Sequence, residues 1–102
     1  MYSFIEPTTA NVFNLVLDSN ADSFKLANVS AATKTIVITN PFLVSDVTIK
    51  YEHRVAATIT YPSSVTWKDA NAPVYTLGKI YFIYLTTDNG GTTYQGTWTG
   101  SW

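Results

Sequence analysis

The sequence predicts an all-β domain, a small antiparallel β-sandwich or flattened barrel, on three observations. Charged residues make up only 13% of the 102 positions, about half the usual globular share. Thr, Ser and Asn fill the gap, and together with Tyr and Val they suit pleated, half-buried surfaces better than helices. Runs of β-branched and aromatic residues follow one another with no sustained helical period. Turn chemistry separates them, at "DSNADS", "NPF", "YPSS", "KDANAP" and "DNGG". The length suits one domain, residues 11–102, behind an N-terminal arm of residues 1–10.

In chain order, "NVFNLVLDS" reads as a strand, followed by "SFKLANV" and "KTIVITN". From Val47 to Tyr61 one parity carries Lys50, Glu52 and Arg54, and the other carries Ile49, Tyr51, His53, Val55, Ala57 and Ile59. That pattern is a half-buried strand, long enough to need a bend near Ala56-Ala57. "VYTL" reads as a short strand. In "GKIYFIYL", Ile80, Phe82 and Tyr84 share one face while Tyr81, Ile83 and Leu85 share the other. Both faces are apolar, so water should touch neither freely. Phe82 is assigned to the core, and Tyr81, Ile83 and Leu85 to an interface with another chain.

The terminal "TTYQGTWTGSW" alternates strictly, with Tyr94, Gly96, Trp98, Gly100 and Trp102 on one face. It pairs antiparallel with "GKIYFIYL" through a tight hairpin at Asn89-Gly90. Tyr94, Trp98 and Trp67 read as core, because a large ring gains most when buried. Trp102 lies at the chain terminus, where a small domain runs out of cover, so a partner chain is expected over it.

Composition also excludes functions. A net charge of −1 with six scattered basic residues argues against nucleic acid, which is bound through many Lys and Arg contacts. With no cysteine, disulfides and thiolate metal sites are ruled out. No secretory signal opens the sequence and no apolar run approaches a membrane span. Synthesis in the cytoplasm with release by lysis is the expected route.

Chemistry is sparse. His53 is the one side chain that titrates near neutrality, and Ser and Asp are plentiful, yet it sits on the apolar parity with no nucleophile motif beside it. It reads as structural, so no enzyme activity is expected. "DSNADS" mimics the first ligands of a calcium loop through Asp18, Asn20 and Asp22. Ser23 then replaces the turn glycine and Val29 the bidentate glutamate, which leaves a polar hairpin loop. "NVS" at Asn28 matches a glycosylation sequon without a route to the modifying enzymes. No metal or other cofactor is expected.

From Ala56 to Trp98 the sequence resembles a module of bacteriophage fibre and appendage proteins. The carrying residues are Tyr61-Pro62, Val65-Thr66-Trp67, Ala72-Pro73, Gly78-Lys79, the strand through Phe82, Gly90-Gly91, Tyr94 and Gly96. Between Trp67 and Pro73 the chain has "KDANA" where that family has a glycine-rich turn. The resemblance implies the knob of a trimeric fibre, or a related capsid decoration protein, in either case a small antiparallel sandwich.

Two readings follow. The first is a virion protein that cements neighbouring capsomers, bound to the major capsid protein as a homotrimer, with no membrane or nucleic-acid partner. The alternative is the receptor-binding tip of a tail fibre that recognises a host-surface glycan. A chain that starts with Met1 and goes almost directly into strands favours the first. Tyr2, Phe4 and Ile5 are its candidate anchors, against the simpler expectation that they add an edge strand.

Overall fold

A computed structural model describes the backbone of residues 2–5 and the whole of residues 11–28, 32–100 and 102. The chain winds into a β-solenoid of about three stacked parallel coils, each giving one strand to each of two sheets. β1 (Tyr2–Ile5), β3 (Ala21–Ala27) and β5 (Ser45–Glu52) run parallel in the first sheet. β2 (Val12–Val16), β4 (Lys34–Thr39) and β6 (Ile59–Thr60) run parallel in the second. The chain continues as β7 (Val65–Trp67), a 3-10 turn (Lys68–Ala70), β8 (Ile80–Thr87) and β9 (Tyr94–Gly100). β8 and β9 extend the first sheet antiparallel, and β7 closes its edge parallel to β9.

The expected antiparallel sandwich is therefore corrected to a solenoid with an antiparallel extension. Alternation of apolar and polar residues is the same in both architectures, because it reports one buried face and not the identity of the neighbouring strand. In this chain the neighbour is the strand one coil later: Tyr2 stands beside Ser23, Val12 beside Thr35 and Ala21 beside Asp46. "DSNADS" is consequently an arch between sheets and not a hairpin. The bend expected near Ala56-Ala57 is likewise a whole corner, since the chain leaves β5 at Glu52 and enters the other sheet at Ile59. "VYTL" forms no strand.

Asparagines hold the corners. Buried Asn28 accepts from the backbone N–H groups of Arg54 at 2.7 Å and Val55 at 3.1 Å, and donates to the Val55 carbonyl. Its side chain is thus consumed in tying one coil to the next. Asn20 donates to the Val44 carbonyl at 2.8 Å, and Asn40 to the Leu17 carbonyl at 3.0 Å. Each bond supplies an in-register partner that an arch backbone lacks within its own sheet.

The core lies between the sheets. Phe13, Leu15, Phe24, Leu26, Ile36 and Ile49 line it, together with Val47, Tyr51, Tyr81, Ile83 and Leu85. This reverses the sequence assignment for β8. Tyr81, Ile83 and Leu85 oppose buried Tyr51, Ile49 and Val47 of β5 and form core, not an interface. Phe82, assigned to the core, is half-buried on the outer face with the Lys50 ammonium 5.9 Å from its ring centre. With both faces apolar, parity alone could not choose between them. β5, which has one charged face, makes the choice through its pairing.

The β8–β9 hairpin is present, but its loop runs from Asp88 to Thr93 and is not a two-residue turn. Asn89 works through its side chain: its amide oxygen accepts from the Thr87 hydroxyl at 2.9 Å and the Thr93 N–H at 3.1 Å. The capsid-cement reading, preferred because the chain goes almost directly from Met1 into strands, is overturned by the solenoid. A small solenoid agrees better with a fibre tip than with a sandwich-type decoration protein.

Candidate functional site

The site forms where β7 ends. β7 pairs with β9 only from Val65–Tyr94 to Trp67–Gly96, after which the 3-10 turn carries the chain away. Gly96 lets this happen with a ring on top of it: a Cβ there would lie 2.7 Å from the Trp67 ring. Trp67 therefore lies directly over the β9 backbone. Gly100 serves Tyr81 in the same way, since a Cβ there would overlap the Tyr81 ring. The glycines of the terminal alternation are seats for rings supplied by other strands.

Divergence of the turn from β9 opens a groove of about 420 Å³, lined by Thr66, Trp67, Lys68, Asp69, Gln95 and Thr97 among others. It adjoins a second hollow of about 190 Å³ that shares Lys68, Asp69 and Thr97 and reaches Asn71 and Trp98. Asp69 and Ala70 occupy the left-handed region, at φ 56° and 55°. Neither is a glycine, so each conformation costs about 1–3 kcal/mol and is held by its surroundings. The Trp98 indole N–H donates to the Asn71 carbonyl at 2.9 Å, and the Asn71 N–H donates back to Lys68 at 3.0 Å. These bonds fix the turn at its far end, with the carboxylate of Asp69 at the rim.

Behind the groove stands a continuous aromatic network. Trp67 meets Tyr61 edge-on at 5.0 Å, and the Tyr61 hydroxyl hydrogen-bonds that of Tyr75. Tyr75 contacts Tyr51 at 5.0 Å, Tyr81 at 4.9 Å and the His53 ring at 5.4 Å. Tyr81 in turn reaches Trp98 at 6.0 Å. Burial pushes Tyr51, Tyr61 and Tyr75 well above the ordinary tyrosine range, so they stay protonated and act as hydrogen-bonding wedges. Burial also pushes His53 below its ordinary value. Its Nδ1 lies 2.7 Å from the Tyr51 hydroxyl, which makes it a packing residue of this network.

The groove offers the half-buried Trp67, hydroxyls from Thr66 and Thr97, the Gln95 amide, and one charge of each sign, while Trp98 lines only the adjoining hollow. Aromatic faces suit apolar ligand surfaces, and the polar set can both donate to and accept from hydroxyl groups. That pairing of properties fits a sugar.

The other expected sites are placed as follows. Tyr94 is buried in the core, while Trp67 and Trp98 pack against it half-buried. Trp102 is 69% exposed, and its backbone exchanges two hydrogen bonds with Ile80, each 3.2 Å. The backbone of Tyr2, Phe4 and Ile5 forms edge strand β1, while residues 6–10 lie outside the described residues. Asp18 and Asp22 sit at an arch. A hydrogen bond with Asp22 and its negative charge hold the Asp18 carboxyl above its ordinary value. Among the described residues no three His, Cys, Asp or Glu side chains cluster, and no helix is long and apolar enough to cross a membrane. Asp69 was missed by sequence reasoning, although "KDANA" stood out as a departure from a glycine-rich turn. No protein-family model, curated protein or solved structure matches the chain.

Proposed function

We propose that this chain is the receptor-binding tip of a bacteriophage tail fibre, and that the groove lined by Trp67, Asp69, Gln95 and Thr97 takes a glycan of the host surface. The observation that carries the reading is the groove itself: Trp67 beside the Thr66, Thr97 and Gln95 polar groups, with Asp69 held at its rim by a strained, pinned turn. Strain retained at a non-glycine position is a recurrent feature of binding sites, since a relaxed sequence would be more stable. The resemblance over Ala56–Trp98 and the stacked-coil fold support the fibre setting. No catalytic role is assigned to the groove. The protein acts by adhesion, and its place is the virion.

The test is binding of the intact chain to an array of bacterial surface polysaccharides, with Asp69→Asn and Thr97→Ala as variants. Both side chains are exposed, so neither change should unfold the domain. The expected result is saturable binding to a restricted set of glycans, weakened at least about tenfold by Asp69→Asn, which corresponds to about 1.4 kcal/mol. Absence of binding across the array, or binding indifferent to both variants, would remove the reading.

A further inference from the structure

The solenoid's two ends are finished differently. At the C-terminal end the edge strands are short and interrupted. β6 has two residues and ends two positions before Pro62, and β7 has three and runs into the strained turn. These are the usual means of keeping a sheet edge from pairing. At the other end the second sheet finishes in β2, five residues reading Val-Phe-Asn-Leu-Val, without charge, proline or bulge.

The direction of its open backbone groups follows from the bonds it makes. The Thr35 N–H donates to the Asn11 carbonyl, and the Leu17 N–H donates to the Thr39 carbonyl, each at 3.0 Å. Backbone groups of successive residues in a strand point to opposite sides. Odd-numbered residues therefore face β4, and Val12, Asn14 and Val16 turn their N–H and C=O groups outward. Among the described residues no strand pairs on that side. The Asn14 side chain is already engaged, accepting from the Thr39 hydroxyl at 2.6 Å, so it does not cap its own edge.

We infer that β2 is the interface of a twofold dimer, pairing antiparallel with β2 of a second copy about an axis through Asn14. In that register Asn14 faces its own equivalent, and Val12 faces Val16 of the copy. Three outward N–H groups on each chain meet three outward carbonyls on the other, and none is left over. Phe13 falls opposite Leu15 on the inner face, so the two fully buried cores run on into one another. The edge is uncharged, and a net charge of −1 per chain offers little repulsion between copies. β1, the edge of the first sheet, lies at the same end of the stack, so the axis brings both sheets edge to edge. An interface of this kind is self-complementary, as a twofold contact requires. The inference is independent of the glycan reading, and it departs from the homotrimer that the resemblance implies.

Sedimentation equilibrium of the intact chain tests it, with hydrogen exchange as the second readout. The expected species has twice the 11.3 kDa chain mass, with slow amide exchange at Val12, Asn14 and Val16 that quickens on dilution. Val16→Lys places a charge on the edge, and Asn14→Pro removes an N–H that the isolated coil does not use. Each should weaken dimerisation at least tenfold while circular dichroism stays β-rich. Should Asn14→Pro fail to fold, Val16→Lys and the concentration dependence of wild-type exchange decide the matter. A monomer at all concentrations, a trimer, or a dimer indifferent to Val16→Lys overturns the inference.

Discussion

The Trp67 ring rests on Gly96, so closely that a β-carbon at that position would come within 2.7 Å of it. This contact sets the floor of the groove and the direction in which the chain leaves β7. Gly96→Ala must push the indole aside or bend β9, and overpacking of this kind costs about 1–3 kcal/mol. Denaturant titration should show that loss, accompanied by loss of any glycan binding. A variant as stable as the parent would mean that Trp67 is free to move and sets no floor.

Ala70 should behave in the opposite sense. It sits at φ 55°, is exposed, and has no packing to lose. A β-carbon in the left-handed region costs about 1–2 kcal/mol, part of which glycine returns through its more flexible unfolded chain. Ala70→Gly should therefore stabilise the fold by about 0.5–1 kcal/mol in thermal or chemical melts. If it destabilises, the turn is relaxed as built, and the strain that marks the groove as a site is absent.

The solenoid itself is tested at Asn28. Its amide serves three backbone groups of the following corner from a fully buried position. Asn28→Ala strands the Arg54 and Val55 N–H groups, and each unsatisfied buried donor costs about 1–3 kcal/mol. We expect a loss of about 2–4 kcal/mol. Asn20→Ala, at an exposed corner with one carbonyl partner, should lose less than about 1 kcal/mol. Equal effects at the two positions would argue against coil-to-coil bridging as the role of Asn28.

Much of this architecture was legible as strands and little of it as pairing. The alternation of "TTYQGTWTGSW" and its hairpin to "GKIYFIYL" could be read because that contact is local. The coils depend on partners more than twenty residues away, and alternation carries no record of which strand is the neighbour. One signal did exist. Ser23-Phe24-Lys25-Leu26 and Thr48-Ile49-Lys50-Tyr51 share a pattern and stand side by side in register. A search for internal repeats would have found that spacing. At the groove, Trp67 and Trp98 drew notice as core residues. Asp69 did not, because a left-handed aspartate is a backbone property with no marker in residue type. β7 is also too short to show a period.

Stability should fall away at both ends of the pH scale, for reasons located in the aromatic network. Burial raises Tyr51, Tyr61 and Tyr75 above the ordinary value of 10.0, so the folded chain keeps protons that the unfolded chain releases. Their contribution is complete below pH 10 and is lost as pH rises beyond it. His53 has the reverse sign. Its folded value lies below 6.5, so on acidification the unfolded chain takes up a proton that the folded chain refuses, and stability declines as pH falls through 6.5. Melting temperature measured against pH should show both arms. Tyr75→Phe should shrink the alkaline arm and leave the acid arm in place, and His53→Phe should do the converse. In the parent, the part of the tyrosinate absorbance that Tyr75→Phe removes should rise together with the loss of β-sheet signal. If that part appears near pH 10 while the fold is intact, the Tyr75 hydroxyl is open to water and the network behind the groove is not closed.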